Sequence, residues 1–138
     1  MKKLLIVLCL FISGCVYTQK YYLDFFYVIT CPNCMLFKED VIPYLEKTYA
    51  NLVITTHNID KEESLDLYAK TISLLQDYVV NDDTGSVPFI VLDGCFVKFG
   101  YNYDEKDLFL SNLDKAINGK TIELSQDYYL FKEGKKLY

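Results

Sequence analysis

The feature that most constrains this chain is the segment Cys31-Pro32-Asn33-Cys34, which follows an apolar stretch and opens a helical one. If Thr30 ends a strand, Cys31 is the N-cap of the helix and Pro32 its first residue, where the fixed φ of proline fits. Cys34 follows three residues later, so both sulfurs lie on one face of the first turn. The sequence therefore predicts two adjacent thiols at a helix N-terminus.

This position gives the two sulfurs different roles. Unpaired backbone N–H groups and the positive end of the helix dipole stabilise an anion, so we expect Cys31 to be the attacking thiolate. Cys34 lies nearly one turn further in and is expected to be the resolving thiol. The pair predicts thiol–disulfide exchange through a mixed disulfide on Cys31.

The N-terminus has the pattern of an export signal. Lys2 and Lys3 precede an apolar run over residues 4–12, which is too short to span a bilayer and is typical of the hydrophobic region of a signal peptide. An exported compartment is oxidising, which favours a redox pair over inert thiols. We expect residues 1–14 to be removed as a lipoprotein signal peptide.

The end of this run indicates how the protein is retained. Ile12-Ser13-Gly14-Cys15 resembles the lipobox of bacterial lipoproteins, and the resemblance implies cleavage before Cys15 and lipid on that residue. Residues 15–20 would then be the lipidated cysteine and a short tether. The protein is expected to be exported and lipid-anchored to the membrane, in the periplasm or on the outer cell surface. An uncleaved interfacial helix, or cleavage that leaves Cys15 as a free thiol, is the alternative.

Composition narrows the class of protein and its partners. The chain has 138 residues, of which 51% are hydrophobic and 16% aromatic, enough for one folded domain with a core. Without Lys2 and Lys3 the formal net charge changes from −5 to −7, and there is no arginine. This acidic balance argues against nucleic acid as a partner and against electrostatic binding to anionic lipid. The oligomeric state is not indicated.

Strand and helix patterns alternate through residues 21–119, which we interpret as one domain. Strands are predicted at 21–29, 52–59, 87–92 and 95–99, with a hairpin turn at Asp93-Gly94 between the last two. Residues 120–138 form a C-terminal extension with two short β-like pieces, at 121–124 and 128–131, whose place in the fold the sequence does not give.

Three helices are predicted between these strands. The first follows Cys31 and is expected to kink at Pro43. The second begins at Asp60, with Glu63 completing a capping box, and has the clearest helical periodicity. Its inward-facing positions are Leu65, Tyr68, Ile72, Leu75 and Val79. The third is capped by Asn102 with Glu105, carries Phe109, Leu113, Ala116 and Ile117 inward, and stops at Asn118-Gly119.

This order of elements resembles the thioredoxin fold over residues 21–119. The resemblance is carried by Cys31-Pro32-Asn33-Cys34 after a hydrophobic strand, by Pro43 in the following helix, and by Val87-Pro88 before the hairpin. It implies an α/β fold with a central mixed sheet flanked by helices. It also implies a cis Val87-Pro88 bond beside the two sulfurs. Substrate-binding residues would be Val87, Pro88, Pro32 and Asn33.

Some family features are absent from this sequence. The buried acid six residues before the first cysteine is replaced by Phe25, and Asp24, one residue away, would face the other side of a strand. We therefore assign Asp24 no proton-relay role. The dipeptide Pro32-Asn33 differs from the Gly-Pro of thioredoxins, the Pro-His of periplasmic disulfide oxidases and the Pro-Tyr of glutaredoxins. The direction of electron flow is not determined.

Other interpretations of the cysteines remain open. The pair could be a static disulfide or part of a zinc or copper site, but the remaining ligands, Cys95 and His57, show no recognisable spacing, so no metal or cofactor is expected. We interpret His57 as structural. Cys95 is expected to be a buried small hydrophobic residue, with a third redox thiol as the alternative.

Two functions follow from these expectations. The first is a thiol–disulfide oxidoreductase whose partners are the thiols and disulfides of exported proteins, or a redox partner protein. The second is a non-catalytic, lipid-anchored thioredoxin-like module that binds a partner through a tyrosine-rich surface. A test of disulfide turnover separates the two.

Overall fold

One five-stranded mixed sheet runs through residues 18–138, the part of the chain that the structure, a computed structural model, describes. The strand order is β2-β1-β3-β4-β5. Strand β1 pairs in parallel with β2 and antiparallel with β3, and β4 and β5 continue the antiparallel half. The predicted signal segment and Cys15 lie outside the described residues.

The strands are β1 (Tyr21–Tyr27), β2 (Leu52–Asn58), β3 (Phe89–Leu92), β4 (Phe96–Phe99) and β5 (Tyr128–Leu130). The helices are α1 (Pro32–Asp40), α2 (Ile42–Thr48), α3 (Glu62–Ser73) and α4 (Lys106–Ile117). A short 3-10 turn, Tyr103–Glu105, leads into α4 and carries the predicted capping box of Asn102 and Glu105. None of the helices within residues 18–138 combines the length and the apolar character needed to cross a membrane.

Strand β1 lies inside the sheet and is buried on both faces, which explains its nearly continuous hydrophobic sequence. Phe25 points into a core shared with α1, α2 and α4. Phe26 points into a second core, which contains Tyr68 of α3 and Phe131 from the C-terminal segment. The sheet is therefore covered on both sides, and successive residues of β1 serve different cores.

The connection between β1 and α1 is longer than predicted and forms a turn. The strand ends at Tyr27 rather than Ile29, and the N–H of Cys31 bonds back to the carbonyl of Val28 at 3.2 Å. Ile29 is 72% exposed in this turn. Strand β1 ends here because its partner β2 also ends, in the pair Tyr27 and Asn58.

The predicted kink in the first helix is a full break. Helix α1 ends at Asp40 and α2 begins at Ile42, with Pro43 in the first turn of α2. Proline has no N–H to donate to the carbonyl one turn earlier, so the helical pattern restarts with Leu45 N–H to Val41 O at 3.0 Å.

The predicted extent of the second helix is wrong. Lys61, not Asp60, is the N-cap of α3, and the helix ends at Ser73, so Val79 is 76% exposed. Leu65 is also largely exposed. The chain leaves the helix because the segment after Ser73 pairs with the outer side of β5: Gln76 N–H bonds to Leu130 O at 2.8 Å.

The C-terminal extension contributes to the same sheet. Strand β5 pairs antiparallel with β4 at its edge, in agreement with the second β-like piece. Residues 121–124 do not form a strand, contrary to the pattern. Instead the Asn112 side chain of α4 bonds to both the backbone N–H and the carbonyl of Glu123, at 2.8 and 2.9 Å.

Candidate active site

Cys31 and Cys34 form a disulfide at the N-terminus of α1, with their Cα atoms 5.2 Å apart. Cys31 is the N-cap, with extended backbone, and Pro32 is the first helical residue, as predicted. The N–H of Cys34 donates to the Sγ of Cys31 at 3.0 Å. The sulfur of Cys31 therefore takes the place of the oxygen that caps most helices, and it occupies the positive end of the helix dipole.

The two sulfurs differ in their access to solvent. Cys34 is completely buried in the core that contains Phe25 and Phe37, whereas Cys31 is partly exposed. Pro32 and Asn33 are exposed beside it. A second molecule can therefore reach Cys31 but not Cys34.

The Val87-Pro88 segment lies next to this disulfide. The bond is cis, and the carbonyl oxygen of Val87 is 3.8 Å from the Sγ of Cys31 although the residues are 56 positions apart. Pro88 is buried and Val87 partly exposed. The structure thus brings the predicted site residues Cys31 and Val87 together. Pro88, the next residue in the chain, is buried beneath the surface at this point.

Lys98 is a part of this region that the sequence analysis missed. Its side chain is 1% exposed, and its Nζ bonds to Gly100 O at 2.9 Å and approaches Glu105 Oε1 at 3.2 Å. Gly100 in turn donates its N–H to Pro88 O at 2.8 Å. The alternation of side chains along Phe96–Phe99 places Lys98 on the same face as buried Phe96. This alternation could have predicted from the sequence that Lys98 is buried.

Asp24 and His57 form a separate cluster on the other face of the sheet. Asp24 is 1% exposed, and its Oδ1 lies 2.6 Å from His57 Nε2. The Tyr138 hydroxyl donates to the same oxygen at 3.2 Å, and the His57 ring stacks on Phe26 at 4.8 Å. Phe26 belongs to the core opposite Cys34, so Asp24 does not reach the disulfide.

The C-terminal residue is held in this cluster. Asp93 accepts the backbone N–H groups of Leu137 and Tyr138 at 2.6 and 3.2 Å. Burial and the nearby Asp24 carboxylate raise the pKa of Tyr138 to about 12. The phenol therefore remains a neutral donor to Asp24 throughout the physiological range.

Cys95 lies at the opposite end of the β3–β4 pair from Val87-Pro88. Leu92 pairs with Phe96 at the Cys95 end, and Phe89 pairs with Phe99 at the other. Cys95 is a partly buried free thiol, whose pKa is raised by burial and then by Asp93. The structure does not bring it to the disulfide.

Within residues 18–138 no three or more His, Cys, Asp and Glu side chains cluster closely enough to hold a metal ion. His57 is engaged by Asp24, away from the cysteines. The arrangement at the disulfide is suited to exchange of sulfur bonds.

The chain matches no protein-family model, no curated protein and no solved structure.

Proposed function

We propose that this chain is a thioredoxin-like thiol–disulfide oxidoreductase that works outside the cytoplasm, anchored by lipid on Cys15. Its substrates are disulfides and thiols of exported proteins, or of a redox partner protein. The observation that carries the proposal is the contact between the partly exposed Cys31 at a helix N-terminus and the Val87 carbonyl, whose oxygen is 3.8 Å from the Cys31 Sγ. A purely structural disulfide needs neither the exposed sulfur nor the adjacent backbone edge.

The reductive reaction starts from the dithiol. The Cys31 thiolate attacks one sulfur of a client disulfide, which forms a Cys31–client bond and releases the other client sulfur as a thiolate. Cys34 loses its proton and attacks the Sγ of Cys31. The client's second thiolate leaves and takes up a proton, so the client is reduced and the Cys31–Cys34 pair is oxidised. The structure has the pair in this oxidised state.

The oxidative reaction runs the same steps backwards. A client thiolate attacks the accessible Sγ of Cys31, and the buried sulfur of Cys34 leaves. A second client thiolate then attacks the client sulfur of the mixed disulfide, which regenerates the dithiol. In both directions the client forms its disulfide bond with Cys31 and not with Cys34, because Cys34 is 0% exposed.

The sheet topology supports the thioredoxin-like part of the proposal. The resemblance implies a central mixed sheet flanked by helices, with the cysteine helix directly after the first strand. The sheet here is mixed, since β1 pairs in parallel with β2 and antiparallel with β3, and α1 follows β1 along the chain. Helices on both faces complete the arrangement.

The direction of β1 supports the proposed anchoring. The strand begins at Tyr21 and ends at Tyr27, so its seven residues place about 20 Å between the entry of the tether and the disulfide end. A lipid on Cys15 would therefore hold the domain by the end opposite Cys31. Replacing Cys15 with Ala should release the processed protein from the membrane fraction, and wild-type-like retention of a variant that carries no residual signal peptide would contradict the anchor.

The test of the enzymatic proposal is reduction of insulin in the presence of dithiothreitol. Wild type should accelerate insulin precipitation, and both Cys31→Ser and Cys34→Ser should abolish the acceleration. Cys95→Ser is the matched control, because it removes a thiol remote from the disulfide, and it should behave like wild type. If wild type gives no more insulin reduction than a variant with both Cys31→Ser and Cys34→Ser, the domain is a binding module.

A further inference from the structure

Tyr68 of α3 is tied to the two residues that precede Val87. Its hydroxyl donates to the carbonyl of Ser86 at 2.9 Å and accepts the N–H of Gly85 at 3.1 Å. The side chain is 2% exposed, and burial raises the pKa of the hydroxyl above the range in which tyrosines usually ionise. The phenol is therefore a permanently neutral group that satisfies a donor and an acceptor of the same short segment.

The ring of Tyr68 contacts the chain on the other side of the cis bond. It packs on Phe89, the residue after Pro88, with 4.3 Å between ring centroids, and edge-on against Phe26 at 5.4 Å. The hydroxyl thus holds the backbone just before Val87-Pro88 and the ring holds the side chain just after it. One residue on a rigid helix fixes both ends of the segment that contacts Cys31.

The segment needs such a support. Gly85 and Ser86 are exposed and belong to a loop that begins at Asn81 and runs over the surface. Gly85 has a φ of +98°. The other hydrogen bonds of this loop within the described residues join residues at most six positions apart, such as Ser86 N–H to Asp83 O at 3.0 Å and the Tyr78 hydroxyl with Thr84 Oγ1 at 2.6 Å, and none of them involves the Gly85 N–H or the Ser86 carbonyl. Tyr68 is the group that ties Gly85 and Ser86 to the interior of the domain.

We propose that Tyr68 is a positioning residue for client binding, which holds the Val87 backbone against Cys31 so that an extended client segment can pair with it. This inference depends on the proposed exchange activity. It assigns Tyr68 a selective role: a peptide client uses the Val87 backbone, whereas a small disulfide can reach the exposed Cys31 sulfur without it. Tyr68 touches neither sulfur and takes no part in the chemistry.

The test is the Tyr68→Phe variant, assayed with a disulfide-bonded peptide and with cystamine, a small disulfide. The variant keeps the ring and its packing and loses both hydrogen bonds. We expect the KM for the peptide to rise about tenfold, the factor that a typical net hydrogen bond is worth, with kcat within about twofold. The rate with cystamine should remain within about twofold of wild type.

Tyr129→Phe is the matched control. Tyr129 belongs to the same aromatic cluster, and its hydroxyl makes no hydrogen bond within residues 18–138, so the control should behave like wild type with both substrates. Equal slowing of Tyr68→Phe with both substrates would overturn the proposal, because the effect would then act on the cysteines or on the whole fold. Wild-type kinetics with the peptide would overturn it as well.

Two further measurements keep the test independent of the proposed function. Hydrogen exchange of the Gly85 and Ser86 amides should be faster in Tyr68→Phe than in Tyr129→Phe. Equal hydrogen-exchange rates would overturn the positioning role, even if wild type showed no thiol–disulfide exchange activity. If wild type has no activity on either substrate, the proposed function fails, and with it the client-binding role. If Tyr68→Phe does not fold, Ser86→Gly, which loosens the same backbone at an exposed position, must raise the peptide KM selectively.

Discussion

Cys34 donates its backbone N–H to the Sγ of Cys31 at 3.0 Å, yet the two side chains differ sharply in accessibility. Cys34 is 0% exposed and belongs to the core that contains Phe37, whereas Cys31 is partly exposed at the end of the helix. In addition, no acidic residue is present in the first turn of α1 to oppose a thiolate at its N-terminus. The helix end therefore favours negative charge on Cys31 and shields Cys34.

The first prediction is an asymmetry in trapping. Cys34→Ser should accumulate mixed disulfides with client proteins, because the Cys31–client bond forms and cannot be resolved. Cys31→Ser should trap few or none, since the remaining thiol is buried. The measurement is a non-reducing gel of both variants, with bands that disappear on addition of dithiothreitol. A reversed pattern would show that the first sulfur to react is not the one at the helix cap.

The second prediction concerns Asp24. Replacing Asp24 with Ala removes the acceptor of His57 and of the Tyr138 hydroxyl in a buried position, so the free energy of unfolding should fall by about 1–3 kcal/mol. Urea unfolding measures this loss. Exchange with cystamine should stay within about twofold of wild type, because Asp24 faces the core opposite Cys34. A large loss of exchange in a folded variant would instead assign Asp24 a role in proton transfer.

Local features of the site could be predicted from the sequence because they depend on a few consecutive residues. The N-cap position of Cys31, Pro32 at the start of α1 and the positive φ of Gly94 in the β3–β4 turn all follow from such short-range chemistry. The capping box of Asn102 is a further example. The cis bond before Pro88 was expected from the resemblance rather than from the residues themselves.

Long-range features could not be predicted in the same way. The end of α3 is set by pairing of the chain after Ser73 with β5, which overrides the helical spacing that continues to Val79. The sequence indicated a β-like piece at 128–131, but its place beside β4 depends on pairing with residues about 30 positions earlier in the chain. The Asp24–His57 contact depends on the register of β1 against β2, in which Phe26, not Asp24, is directly opposite His57.

The third prediction concerns the buried cation beside the Val87-Pro88 segment. Glu105 neutralises Lys98 at 3.2 Å and also accepts the N–H of Asn102 at 2.6 Å. Glu105→Ala leaves a buried charge without its partner and should destabilise the fold by about 3 kcal/mol. Lys98→Met, which removes the charge and retains most of the side-chain volume, should cost less. Urea unfolding of both variants gives the comparison, and a smaller loss for Glu105→Ala would contradict the buried ion pair.

The last prediction uses the free thiol. Burial, and secondarily Asp93, raise the pKa of Cys95, so at a pH near the ordinary thiol pKa the folded protein holds less thiolate at this position than the unfolded chain. Alkylation of Cys95 by iodoacetamide at pH about 8 should therefore be roughly tenfold slower in the folded, disulfide-intact protein than in urea, and should accelerate as the pH rises further. The same raised pKa makes a contribution to stability that is fully present below the ordinary thiol pKa and is lost as the pH rises through the folded value. Peptide mass spectrometry after timed alkylation measures the rate at Cys95 alone. Equal rates in the folded and the unfolded protein would mean that Cys95 is an accessible thiolate, and a third redox thiol would then have to be considered.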